Sequence, residues 1–372
     1  MLSPSGSPRV LVLGFGALGA LYSFLLSRGG ARVYAVARSN AETVKNEGIN
    51  IHSQKLGKHS SYRPLDVFAS AEEARTKVEN YDYVLCTVKI CPEQRATGKW
   101  IKEFLPSGKG KLRPELPTVV FVENGIGIEE EPYQTLCQGD EPVASTIISC
   151  CAWLGATLVD KGKTVDHGAL ERLEMGLYPY REAGEDEESP QSWRVTKLHA
   201  FAETFKAGGG GSVVIVGDVQ VKRWVKLLWN AAWGGLTTLA RQTVSEMLQE
   251  DNLDISADLV RKIMMEVVSV ARACGYGEDQ LPSSSVDEVF DLTYSQAPRF
   301  LKDGKKPNLK EDFKPSLLVD LEAQRPMELS PIIGNVILKA RQHNVNVPRL
   351  EVIYAALRPS QMQFVHQAAA RA

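Results

Sequence analysis

Residues Leu13–Ala20 read LGFGALGA, directly behind the apolar run Val10–Leu13. Glycines at 14, 16 and 19 spell G-x-G-x-x-G, a pattern that is weak alone and informative in context. The run before it is a short strand of the buried kind. Ala17–Arg28 after it is an apolar helix stopped by Gly29-Gly30. Arg32–Ala37 (RVYAVA) then alternates as a second strand. Strand, glycine turn, helix and strand in one βαβ unit form the setting of a dinucleotide fingerprint. The first glycine permits the tight turn, the second lets backbone approach a pyrophosphate, and the third lets the helix pack on the strand. The free N–H groups at the helix start face the phosphates. Gly14, Phe15, Gly16, Ala17, Leu18 and Gly19 are therefore the candidate cofactor-binding residues.

The end of the second strand bears on which dinucleotide binds. An acid there pairs with the ribose 2′-hydroxyl of NAD, whereas an arginine accommodates the 2′-phosphate of NADP. This chain has Ala37-Arg38-Ser39-Asn40, with no acid. Arg38 is suited to bidentate pairing with phosphate, and NADP(H) is the expected cofactor. The sequence holds no metal-ligand constellation, so hydride chemistry without a metal is expected.

Outward from this unit, Tyr83–Val88 and Thr118–Val122 are further apolar strands, and Ala144–Ser149, Gly168–Leu177 and Ser212–Val216 are candidates to extend one edge. Strands alternating with helices imply a parallel sheet covered on both faces. Residues 50–63, 92–116 and 181–192 read as polar surface insertions. After Gly217 the periodicity becomes helical, over Val221–Leu239, Asp254–Cys274, Ser284–Leu292, Pro315–Leu321 and Pro331–His343. The expected architecture is an α/β Rossmann-like dinucleotide-binding domain over 8–217, then an all-α substrate and catalytic domain over 218–358.

The 372 residues carry a formal net charge of −2 and 44% hydrophobic residues, an ordinary globular balance. That charge gives no electrostatic case for nucleic acid or an anionic membrane. The six cysteines lack zinc or disulfide-framework spacing, and vicinal Cys150-Cys151 reads as two small core residues, which implies a reducing compartment. No signal-peptide core and no run of membrane-spanning length is present, so a cytoplasmic location is expected.

A hydride donor to a carbonyl needs an acid to protonate the oxygen. In KRWVKLLWNAA (Lys222–Ala232), Lys226 and Asn230 stand at i and i+4 and share a helix face, a spacing that a snorkelling surface lysine satisfies equally well. Asn124-Gly125 fits a plain turn, Ser316 after Pro315 fits a helix cap, and Glu328 before Ser330-Pro331 fits a solvated first-turn acid.

Taken in order, GFGALG, TVK (Thr87–Lys89), ENGIG (Glu123–Gly127), KLLWN (Lys226–Asn230) and PSLLVDLEAQRPMELSPIIGNVI (Pro315–Ile337) closely resemble the ketopantoate reductase (2-dehydropantoate 2-reductase) family. The resemblance covers nearly the whole chain apart from the insertions. It implies a helical domain of the 6-phosphogluconate dehydrogenase C-terminal type and NADPH-dependent reduction of a 2-keto acid, by default 2-dehydropantoate to (R)-pantoate in pantothenate synthesis. Lys226 matches the family's catalytic lysine, and Glu328 a glutamate at the nicotinamide end that holds cofactor or orients that lysine. Asn124 matches a residue beside the nicotinamide ribose and the substrate, and Lys89 one at the cofactor edge. Asn230 and Ser316 match substrate-binding residues, while Asp320 supports the site or its helix. The partners implied are a small-molecule 2-keto acid and a second copy of the chain as a homodimer, with neither nucleic acid nor membrane.

The sequence also departs from the family. A second substrate asparagine, four residues after the first, is Gly234 here. A third is absent from Ala240–Met247, and the family's E-I-D reads Glu328-Leu329-Ser330. The polar lining is thinner, and Trp229 and Trp233 are expected to make the pocket bulkier. A related D-2-hydroxyacid dehydrogenase acting on a bulkier keto acid is one alternative; a non-catalytic NADP-binding sensor is another.

Overall fold

The computed structural model describes residues 6–37, 40–182, 192–296 and 314–371. The chain forms two compact units. The first comprises residues up to Val88, Ala96–Glu123 and Glu129–Val219; the second comprises Lys89–Arg95, Asn124–Ile128 and Gln220 onward.

The first unit is built on a ten-stranded sheet: β1 (Arg9–Leu13), β2 (Arg32–Val36), β3 (Ile49–Ser53), β4 (Gly57–Tyr62), β5 (Asp66–Phe68), β6 (Tyr83–Cys86), β7 (Thr118–Phe121), β8 (Ile147–Val159), β9 (Thr164–Tyr178) and β10 (Ser212–Ile215). Its order is β4-β3-β9-β8-β7-β6-β1-β2-β5, with β10 also on β9. From β8 through β5 every pairing is parallel, as the βαβ reading requires. Each of β1, β6 and β7 is four or five almost wholly buried residues, the run expected of a strand covered on both faces. Val10 and Val12 of β1 share one core with Leu21 and Leu25 of the helix Ala17–Arg28 and with Phe201 and Phe205 of the helix Trp193–Ala207. Cys150 and Cys151 are buried in β8, as the core reading expects.

Two features differ from expectation. Residues 50–63 are the β3–β4 hairpin at the sheet margin, not a plain surface insertion. In β3 the residues Ile49, Ile51 and Ser53 alternate inward, while β4 (GKHSSY) stays polar and exposed because it is an edge strand. Strands β8 and β9 lie inside the sheet order, with β3 and β4 beyond them. Within 92–116 the chain forms the short helix Thr97–Lys102 and a 3-10 turn at Arg113–Glu115. Of 181–192, residues 183–191 lie outside the described residues.

The second unit is helical. Its core gathers Leu227, Leu228 and Trp233 with Val260, Ile263, Met264 and Val267 of Leu253–Ala273, and with Ile332, Ile333 and Val336. Ile126 joins it from Asn124–Ile128. The helix Pro348–Ala370 runs past residue 358 and through Pro359. No helix among the described residues is long and apolar enough to cross a membrane.

Candidate active site

In the first unit the glycine turn does three separate jobs. Gly14 has φ +92°, a conformation that disfavours side chains, and a Cβ there would meet Val88 Cγ1 at 2.7 Å. At Gly19 a Cβ would lie 2.0 Å from the carbonyl oxygen of Gly14, so only glycine lets the helix approach its own strand this closely. At Gly16 a Cβ would meet nothing within 4 Å, so the space above the middle glycine is open. Gly16 caps the helix Ala17–Arg28 and supplies no side chain to its first N–H groups. These groups are available to an anion.

That space belongs to a cavity of about 540 Å³ lined by Gly14, Phe15 and Gly16, with Val36 at the end of β2, Asn40 and Ser70. Asn40 donates from Nδ2 to the carbonyl of Phe15 at 3.0 Å and ties the turn after β2 to the glycine turn. Ala17, Leu18 and Gly19 form the first helical turn behind the cavity, and Ala17 and Leu18 pack on the core. Arg38, on which the NADP reading rests, lies outside the described residues.

The second unit brings together most of the remaining candidates. The segment Lys89–Arg95 follows β6, and Asn124–Ile128 follows β7. Asn124 donates from Nδ2 to Oε2 of Glu328 at 3.0 Å. Glu328 is 4% exposed, so it is not the solvated first-turn acid that its sequence position permits. The carboxyl pKa is raised on balance: burial pushes it up most, the Asn124 hydrogen bond and the charges of Lys89 and Lys226 pull it down in part, and the charge of Asp320 pushes it up. Lys226 is half-buried on the helix Val219–Trp229, and its charge acts on Glu328. Lys89 pairs with Asp320, whose side chain is buried and also receives Arg325 at 3.1 Å. Asp320 thus pairs with both Lys89 and Arg325.

Asn230 is half-buried and opens a π-helical segment, Asn230–Gly234; a second one, Ser330–Gly334, begins two residues after Glu328. Such segments are rare and favour functional positions. Ser316 is exposed and is the first helical residue of Ser316–Glu322, with Pro315 in the cap position, so the structure gives it no capping bond. Trp233 is fully buried and stacks on Phe290, and Trp229 donates its indole N–H to Thr293 Oγ1 at 3.0 Å. Trp233 is a core residue of the helical unit and not a pocket wall.

Two residues of the assembly have no distinctive sequence signal. Arg223 is buried and donates to the carbonyl of Gly125 at 3.1 Å, and Asn335 donates to the carbonyl of Ile126 at 2.7 Å. Together they fix the backbone that presents Asn124.

The family described as Ketopantoate reductase PanE/ApbA matches residues 10–180, and Ketopantoate reductase PanE/ApbA C terminal matches residues 218–361. The 2-dehydropantoate 2-reductase of Nostoc sp. is 25% identical over 355 residues, covering 94% of each chain. A crystal structure of 2-dehydropantoate 2-reductase from Methylococcus capsulatus is 29% identical, with a TM-score of 0.73 over 96% of this chain and 97% of that one. D-mandelate dehydrogenase, in a ternary structure with NADH and anilino(oxo)acetate, shares the fold at 14% identity and a TM-score of 0.70, covering 96% of this chain and 99% of that one.

Proposed function

The chain belongs to the ketopantoate reductase family, and we propose that it reduces a 2-keto acid with NADPH, by default 2-dehydropantoate to (R)-pantoate. The observation that carries this reading is the buried Glu328 carboxylate, bonded by Asn124 and subject to the charges of Lys226 and Lys89. A buried carboxylate acting on a half-buried lysine favours the ammonium form that a proton donor needs.

The glycine turn fits a dinucleotide: it combines open space over Gly16, an uncapped helix start and an adjoining cavity. Gly14, Phe15 and Gly16 would hold its phosphates, with Arg38 on the 2′-phosphate, and Lys89 and Asn124 would hold its nicotinamide end. When bound, it supplies the hydride to the keto carbon. Lys226 donates a proton to the keto oxygen as negative charge develops there. Glu328 keeps Lys226 oriented and charged, Asn124 fixes the Glu328 carboxylate, and Asp320 with Arg325 fixes Lys89. Ser316 and Asn230 take the substrate carboxylate and hydroxyls.

Gly234 favours a second reading, a reductase for a more apolar keto acid. A Cβ there would meet only apolar atoms of Leu317 and Pro315 within 4 Å, where the family resemblance places an asparagine. The D-mandelate dehydrogenase neighbour is consistent with such a variant on this fold. Initial rates of NADPH oxidation with 2-dehydropantoate, benzoylformate and 2-ketoisovalerate decide between the two. The first reading requires the highest kcat/KM with 2-dehydropantoate. Oxidation with none of the three, in protein that binds NADPH, would leave a sensor role.

A further inference from the structure

The cavity beside the glycine turn has a second wall that the dinucleotide fingerprint does not account for. It is formed by Leu158, Lys161 and Gly162, at the tip of the long β8–β9 hairpin. Two contacts hold this tip. Lys163 pairs with Glu47 at 2.5 Å, just past the helix Ala41–Asn46, and the carbonyl of Lys163 accepts from the N–H of Asn50 at 2.9 Å. The tip therefore lies by that helix, whose Thr43 lines the same cavity with the preceding Asn40.

Lys163 is committed to Glu47, but Lys161 has no ion-pair partner among the described residues. Only one other charged side chain, Glu103, lines the cavity among the described residues. The tip backbone is left-handed at three successive residues, with φ +51° at Asp160, +56° at Lys161 and +87° at Gly162. Lysine is a costly choice at such a position, where glycine or asparagine is easily accommodated. A lysine in that conformation beside a cavity points to a use of its charge.

We propose that Lys161 is a specificity-determining residue for the 2′-phosphate on the adenosine end of the dinucleotide, to which it brings a cation from the hairpin tip. The proposal rests on the NADP reading above. A 2′-phosphate is a near-dianion and gains from a cation held near it. An ammonium reaching it from the hairpin tip adds a charge-assisted hydrogen bond that NADH has no group to receive.

Calorimetric titration of the full chain with NADPH, NADH, adenosine 2′,5′-bisphosphate and adenosine 5′-monophosphate tests this. Lys161→Asn tolerates the left-handed backbone and removes the charge; Lys161→Arg keeps the charge; circular dichroism melts check that both variants fold. The expected result is a loss of about tenfold in affinity for NADPH and the bisphosphate in Lys161→Asn, little loss for NADH and the monophosphate, and recovery in Lys161→Arg. Unchanged NADPH affinity in Lys161→Asn, with the wild type still preferring NADPH to NADH, overturns the role of Lys161 alone. Equal losses for all four ligands also overturn it, because the tip would then support the cavity and not read the phosphate. A wild type that binds NADH as tightly as NADPH overturns the NADP reading itself, and this proposal with it.

Discussion

In the proposed reaction the chemistry turns on Glu328 and the groups that set its charge. Its burial opposes ionisation, while Asn124 and the two lysines favour it. If Lys226 is the proton donor, Lys226→Ala lowers kcat by about 10²–10⁴-fold while NADPH affinity, read by fluorescence titration, stays within a few fold. An unchanged kcat would remove Lys226 from the mechanism. Asn124→Ala deletes the hydrogen bond that stabilises the Glu328 anion, so the Glu328 pKa rises. Activity that needs the anion is lost as pH falls through that pKa, so the acid limb of the kcat/KM profile moves to higher pH in the variant. An unmoved limb would mean that Glu328 does not titrate in the active range. At this scale the sequence was only half legible. Lys226 and Asn230 were placed on one helix by spacing, but Glu328 read equally well as a solvated acid. What buries it is a core assembled from residues far apart in sequence, and no local pattern records that.

At the scale of elements, the strands were legible where both faces are covered, because four or five consecutive apolar residues have few other uses. The helix Trp193–Ala207 was not. Its buried face runs Arg194, Lys197, Leu198, Phe201, Ala202 and Phe205, a regular helical stripe in which two members are basic. Lys197 donates to the carbonyl of Leu116 at 2.7 Å and lies 3.4 Å from Ser145 Oγ. Burial lowers its pKa from 10.5 to about 8, against the opposing charge of Asp82. The unfolded chain thus keeps a proton that the folded chain has lost between those two values, so stability rises with pH across that window. Urea midpoints measured from pH 7 to pH 11 will show the wild type gaining on Lys197→Met between pH 8 and pH 10.5. A constant difference between the two proteins would show that Lys197 stays charged in the fold. Pro359 similarly obscures the helix Pro348–Ala370, because proline ordinarily ends a helix, whereas here the chain continues through it.

For the whole molecule, a ligand that binds only the folded chain stabilises it in proportion to the logarithm of one plus its concentration over its Kd. NADPH at a hundredfold excess over its Kd adds about 2.7 kcal/mol, which for a chain of this length raises Tm by a few degrees. The same concentration of NADH will give a smaller shift if the cofactor is NADP(H), and equal shifts would count against that assignment. The sequence by itself determined the βαβ unit, the change from sheet to helices after Gly217 and the family, because these depend on local periodicity and on short motifs in a set order. Tertiary structure alone decided that residues 50–63 extend the sheet, that Trp233 belongs to the core, that Glu328 is buried against Asn124 and that a hairpin tip carries Lys161 to the cavity beside LGFGALGA. Each of those outcomes depends on contacts between segments distant in sequence, whose energies come from shared burial and paired charge and so are not written in any one stretch of the chain.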